Sequence, residues 1–216
     1  MKDYKELFID FALESKVLRF GEFTLKSGRI SPYFFDSGLF NEGAILSKLG
    51  RFYAEAIHAA GLEFDMLFGP AYKGIPLVSA TAIAYAEMYD REMPYCFDRK
   101  EEKDHGEGGI ILGAAPNGRV LIVDDVITAG TSVDYSVELL RSEGAQAVAV
   151  IIALDRQEQG KQGESAIDEI QKRHGLKVIN IICLAELIEF MQNETRYDKE
   201  LEQVRRYQKQ YGITTG

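Results

Sequence analysis

The sequence predicts an α/β protein: a mostly parallel sheet of about five strands flanked by helices, with a small β-containing cap ahead of it. Three observations carry this. Between residues 42 and 192, short apolar runs alternate with helical patterns, the order that builds a parallel sheet through crossover helices. The runs at 120–123 and 147–154 are apolar at every position, as strands covered on both faces require. Residues 20–35 break the alternation with aromatic-rich segments around a Lys-Ser-Gly-Arg turn. A chain of 216 residues suits one domain with a continuous core, here divided into a cap (1–40), an α/β core (41–192) and a C-terminal helix (193–216).

In order, residues 4–14 place Leu7, Phe8, Phe11 and Ala12 on one helical face. Residues 20–25 and 33–35 read as short strands. Residues 42–60 form a helix that Gly61 ends, 64–68 a strand, 75–88 a helix and 94–97 a short strand. Residues 98–109 contain no apolar side chain, so no packed element is expected there, and a loop of that length is usually functional. Their glycines fail as a dinucleotide fingerprint because Ile111 stands where the third glycine belongs. A strand at 120–123, a helix at 133–142, a strand at 147–154 and a polar loop at 157–163 follow. Helical residues 164–174, a strand at 177–183, a helix at 184–191 and a last polar helix at 197–211 complete the chain.

The apolar fraction of 46% and charged fraction of 27% are those of an ordinary globular protein. The net charge of −9 argues against nonspecific nucleic-acid binding, which needs a basic footprint. Cys96 and Cys183 stand far apart, which suggests reduced thiols and no zinc site. His58, His105 and His174 are too few for a multi-histidine metal cage. The first residues do not read as a signal peptide, and no apolar run approaches a membrane span. A cytoplasmic protein is expected, without membrane or nucleic-acid partners.

The most informative stretch is residues 120–132, V-L-I-V-D-D-V-I-T-A-G-T-S. A buried strand runs into the adjacent carboxylates Asp124 and Asp125. A small, hydroxyl-rich turn follows, then the start of a helix. Free backbone N–H groups, hydroxyls and a helix N-terminus together suit a phosphate. Carboxylates beside an anion site make sense if the ligand also carries a vicinal diol, and a phosphorylated ribose has both features. The plainer alternative is a strand end with two solvated acids, which the join of Asp-Asp to T-A-G-T-S disfavours. In open α/β sheets, ligands sit outside the carboxyl ends of the strands. Tyr72-Lys73, Asp124-Asp125 and Asp155-Arg156 all fall at such ends.

This stretch resembles the phosphoribosyl-pyrophosphate-binding motif of the type I phosphoribosyltransferases. Four further stretches are similar to the orotate branch of that family: F-T-L-K-S-G-R-I-S-P-Y-F-F (23–35), G-P-A-Y-K-G-I-P (69–76), F-D-R-K-E-E-K-D-H-G-E-G-G (97–109) and A-L-D-R (153–156). The resemblance implies the type I phosphoribosyltransferase fold. It also implies transfer of a 5-phosphoribosyl group from phosphoribosyl pyrophosphate to orotate, a step of pyrimidine synthesis that gives orotidine 5'-monophosphate and pyrophosphate. By resemblance, Asp124 and Asp125 hold the ribose hydroxyls, and Val126, Ile127, Thr128, Ala129, Gly130, Thr131 and Ser132 form the loop that takes the 5-phosphate. Lys26, Tyr72, Lys73, Arg99, Lys100, Lys103 and His105 face the pyrophosphate end, and Lys103, Asp124 and Asp125 are the expected catalytic set. Phe34, Phe35, Thr128 and Arg156 face orotate, the phenylalanines partly through backbone groups.

The family also implies Mg²⁺ held by the substrate, with no direct protein ligand and contact at most through water to Asp124 and Asp125. It implies a homodimer whose sites are shared, with residues 99–109 acting as a mobile lid. A phosphoribosyl-pyrophosphate-sensing regulator of the same fold is the alternative from another class. The net charge of −9 and the lack of an added basic module weigh against it. A purine phosphoribosyltransferase is disfavoured by the cap sequence and Arg156.

Overall fold

A computed structural model describes residues 3–25, 27–103, 109–128, 130–160 and 163–213, with residues 100–103 described as backbone only. The chain opens with α1 (Tyr4–Glu14), whose N-cap Asp3 accepts the Glu6 N–H at 2.9 Å. Strands β1 (Leu18–Thr24) and β2 (Ile30–Phe35) pair antiparallel as a two-stranded sheet of their own. Then follow α2 (Gly43–Ala59), β3 (Met66–Gly69), α3 (Gly74–Tyr89), β4 (Tyr95–Lys103), β5 (Gly109–Gly113) and β6 (Arg119–Val123). The rest is α4 (Thr131–Ser142), β7 (Gln146–Asp155), α5 (Ala166–His174), β8 (Lys177–Cys183), α6 (Leu184–Gln192) and α7 (Asp198–Tyr211).

The main sheet has the order β5-β4-β3-β6-β7-β8, parallel except for β5 at one edge. Its central strands show why the apolar runs are continuous. Leu67, Leu121, Val123, Ala149, Ile151 and Ala153 face one core, which they share with α1, α2, α3 and α6. Their alternates Met66, Phe68, Val120, Ile122, Val150 and Ile152 face a second core with α4 and α5. A side-chain period of two, with both faces covered, leaves no position for a polar residue. At the helix α2–α3 contact Gly50 is required by space: a Cβ there would lie 2.4 Å from the Ala80 carbonyl oxygen.

Two expectations change. The sheet has six strands rather than about five, because Gly109–Gly113 adds an antiparallel edge strand. Three apolar residues between glycines are too short a run to stand out. The reading of 98–109 as a loop without regular structure is also corrected. Strand β4 continues to Lys103, which pairs with Gly109 after a break in register beyond Asp98. A hairpin ribbon needs only backbone ladder bonds, so its side chains can all be charged. Residues 104–108 lie outside the described residues, and so does most of the expected lid's tip.

Helix starts differ by a turn or less, and caps explain this. Helix α5 begins at Ala166 because Ser165 and Asp168 form a reciprocal capping box. Helix α4 begins at Thr131 because Gly130, at φ 74°, turns the chain into it. Among the described residues no helix is long and apolar enough to cross a membrane.

Candidate active site

The chain leaves β3 toward β4 on one side of the sheet and leaves β6 toward β7 on the other, although β3 and β6 are neighbours. Connections that diverge from adjacent strands open a crevice at their carboxyl ends, where ligands of α/β sheets bind. The loop after β3 carries Tyr72 and Lys73. The loop after β6 carries Asp124, Asp125 and the hydroxyl-rich turn. Arg156 follows β7, one strand further along.

The two carboxylates are almost wholly buried, each 7% exposed. Asp124 accepts the Asp125 N–H at 2.9 Å and the Ser132 hydroxyl at 3.1 Å. Burial, and next the charge of Asp125, push its carboxyl up from 3.8 to about 7. From α2, Tyr53 donates its hydroxyl to the Asp124 carbonyl at 2.8 Å. Asp125 accepts the Val126 N–H at 2.9 Å and the Lys73 ammonium at 2.7 Å. Ser37, just past β2, donates to the same carboxylate and accepts from Lys73 at 2.8 Å. Thus the cation after β3 and the acid after β6 meet directly. The Lys73 side chain is 60% exposed, so the pair specifies position more than stability.

The turn after the acids is anchored on both cores: Val126 packs on one and Ile127 on the other. Thr128, Thr131 and Ser132 are exposed. At Gly130 a Cβ would come within 2.7 Å of Ile170, and its φ already favours glycine. Small exposed residues at the first turn of α4 leave its N-terminus open to an anion.

Tyr72 is 69% exposed. Behind it, the buried Asp98 of β4 accepts the Ala71 N–H at 2.5 Å. This carboxylate ties the loop after β3 to the strand of the expected lid. Arg99 Nε donates to the Gly109 carbonyl at 3.0 Å, across the base of the hairpin. Phe35 sends its ring into the core beside Phe8 and Phe40, so only its backbone is left to face a ligand. Phe34 points the other way and stacks on Phe23 at 5.4 Å. Arg156 sits over the Tyr33 ring at 4.2 Å and donates to Ser31 of β2 at 3.0 Å. It therefore joins the hairpin to the end of β7.

Lys26, His105 and Ala129 lie outside the described residues, as do the side chains of Lys100 and Lys103. Among the described residues no three His, Cys, Asp or Glu side chains cluster to hold a metal ion. Four participants escape a reading of the sequence: Ser37, Tyr53, Asp98 and Ser31. A lone Ser or Tyr in an ordinary context gives no sequence signal. Asp98 stands inside a charged run that hides it.

The raised Asp124 carboxyl has a stability consequence. Its folded pKa exceeds its unfolded one, so the native state holds the proton more tightly between about pH 4 and 7. Stability from this group is therefore full below pH 4 and is lost as pH rises through about 7. Asp124→Asn removes that loss. It should stabilise the fold by about 1–3 kcal/mol at pH 8 and by little at pH 4, in denaturant titrations at the two pH values. Equal effects at both would show that Asp124 ionises freely in the fold.

This geometry has counterparts among known proteins. The family model described as phosphoribosyl transferase domain matches residues 38–183, the span from the Ser37 corner to the end of β8. An orotate phosphoribosyltransferase of Thioalkalivibrio sulfidiphilus is 62% identical over 99% of this chain and all of its own. One from Salmonella agona is 55% identical with the same coverage. The crystal structure of orotate phosphoribosyltransferase from Francisella tularensis superposes with a TM-score of 0.85 at 43% identity, covering 95% of this chain and 99% of that one. With two thirds of its length matched by the family model and full-length relatives above half identity, the chain belongs to the phosphoribosyltransferases and, among them, to the orotate phosphoribosyltransferase family.

Proposed function

We propose that this chain transfers the 5-phosphoribosyl group of phosphoribosyl pyrophosphate to orotate. An orotate ring nitrogen forms a bond to the anomeric carbon, and the bond to pyrophosphate breaks with its electron pair leaving on pyrophosphate. The observation that carries the reading is the meeting of Lys73 with Asp125 at the β3–β6 crevice. One sugar joins the two groups' ligands: its hydroxyls need acceptors, and its anomeric pyrophosphate needs cations close by.

The turn of Thr128, Thr131 and Ser132, with the open end of α4, takes the 5-phosphate. Asp124 and Asp125 accept from the ribose hydroxyls, and their burial restricts them to one orientation. Lys73, Tyr72 and Arg99 serve the leaving pyrophosphate, joined by Lys26, Lys100, Lys103 and His105. Arg156 offers a planar fork to the orotate carboxylate. Phe34 and the Phe35 backbone border the ring. This chemistry needs positioning and charge neutralisation more than covalent help.

The donor set fits a hard cation only indirectly: two buried carboxylates, one of them already bonded to Lys73, make a poor direct cage. Mg²⁺ would be held by substrate oxygens, with Asp124 and Asp125 reaching it through water, and would supply charge neutralisation on the pyrophosphate. The protein acts in the cytoplasm as a homodimer. Arg99, Lys103 and His105 of one protomer complete the other's site, while Lys73, Lys100, Asp124 and Asp125 serve their own. The lid of 99–109 closes over the pyrophosphate and keeps water from the cationic transition state.

Loss of orotate absorbance with phosphoribosyl pyrophosphate and Mg²⁺ tests the reaction, and binding without turnover would favour the sensing regulator. In the same assay Arg156→Ala should weaken orotate binding by about 2–5 kcal/mol and leave phosphoribosyl pyrophosphate nearly unaffected. Equal losses would remove Arg156 from the orotate side. Site sharing is tested by mixing two inactive variants, Lys103→Ala and Asp125→Asn. Half of randomly reassorted dimers carry one intact site, so activity should return to about a quarter of wild type. No recovery after demonstrated subunit exchange would place the lid over its own chain's site.

A further inference from the structure

Arg156 is held from behind by Glu158 and, through it, by Tyr207, neither of which lies in a site motif. Its Nε donates to Glu158 Oε1 at 2.7 Å, and its Nη2 lies 2.6 Å from the same oxygen. Tyr207, on the C-terminal helix α7, donates its hydroxyl to that oxygen at 2.9 Å. The second oxygen of Glu158 faces Arg29 Nη1 at 3.5 Å. Arg29 is itself fixed, with Nη2 donating to the Gln159 carbonyl at 2.9 Å and its guanidinium over the Tyr211 ring at 4.9 Å. Tyr207 is 5% exposed and packs edge-on against Tyr33, the ring beneath Arg156.

Two features of this cluster point beyond a structural tie. The first is charge: Arg29, Glu158 and Arg156 sum to one positive charge, the complement of a single carboxylate. The second is direction. Arg156 donates to Glu158 along the Nε and Nη2 edge of its planar fork and to Ser31 through Nη2. A fork held along one edge has a fixed plane, and a bidentate carboxylate contact depends on that plane.

We propose that Glu158 and Tyr207 are positioning residues for orotate, setting the plane in which Arg156 meets the substrate carboxylate. Helix α7 then serves specificity as well as packing. The inference rests on the assignment of Arg156 to orotate. It differs from a purely Coulombic role for Glu158. An anion that merely competed for Arg156 would weaken orotate binding, and its removal would tighten it. A positioning anion does the reverse.

The test compares Tyr207→Phe, Glu158→Gln and Arg156→Ala. It reads KM for orotate and for phosphoribosyl pyrophosphate, inhibition by uracil, which shares the ring but lacks the carboxylate, and melting temperature. Tyr207→Phe keeps the ring packing and should raise KM for orotate about 3- to 10-fold, the effect of one lost hydrogen bond. Glu158→Gln should raise it further. In both, KM for phosphoribosyl pyrophosphate and the uracil inhibition constant should stay near wild type. Parallel rises in both KM values that track a fall in melting temperature would reduce the cluster to a structural tie. Tighter orotate binding in Glu158→Gln would make Glu158 a competing anion. Either result overturns the proposal. If Arg156→Ala raises KM for orotate while the other two variants do not, the positioning role alone fails. If Arg156→Ala also leaves it unchanged, the orotate assignment fails with it.

Discussion

Two adjacent carboxylates held out of water at the end of a buried strand are the constraint on which the site depends. Asp124 and Asp125 cannot drift apart, because β6 is locked between β3 and β7 and both residues are 7% exposed. Their surroundings treat them differently. Asp124 is braced by backbone, Ser132 and Tyr53, and its carboxyl is driven upward by burial. Asp125 has a cation, Lys73, from the neighbouring strand's loop. The fold's contribution is to bring that loop across: only where connections diverge from adjacent strands is there room for a ligand between them.

The rest of the architecture keeps this corner rigid from several directions. The two cores clamp the central strands from both faces, and the turn after the acids has one apolar anchor in each. Asp98 fastens the Lys73 loop to β4. The β1–β2 hairpin is tied to the end of β7 through Ser31 and Arg156. Helix α7 reaches the same arginine through Glu158. Positioning of this kind lowers the barrier of a reaction whose chief needs are alignment and charge.

The strand ends are legible in the sequence because they combine two local signals, an apolar run and a turn of small or charged residues. That combination is enough to mark Lys73, Asp124 and Arg156. Strand β5 is not legible: its apolar run is too short, and its pairing with β4 depends on a backbone ladder that leaves no side-chain pattern. Ser37, Asp98, Glu158 and Tyr207 are hidden for another reason. Each acts through a contact made by folding: Ser37 lies 88 positions from Asp125, and Tyr207 lies 49 from Glu158. Phe35 shows the reverse case. Adjacent aromatics most often pack in a core, and its ring does so.

The central claim is that Lys73 and Asp125 bind one sugar phosphate side by side, Lys73 at its anomeric pyrophosphate and Asp125 at its ribose hydroxyls. A double-mutant cycle on phosphoribosyl pyrophosphate affinity, measured by calorimetry with Mg²⁺ for Lys73→Ala, Asp125→Ala and the pair, tests it most directly. The account predicts that each single variant weakens binding about tenfold or more, and that the double variant loses less than the product, because the residues share a ligand and each other. Unchanged affinity in both single variants, or a loss confined to orotate, would contradict it.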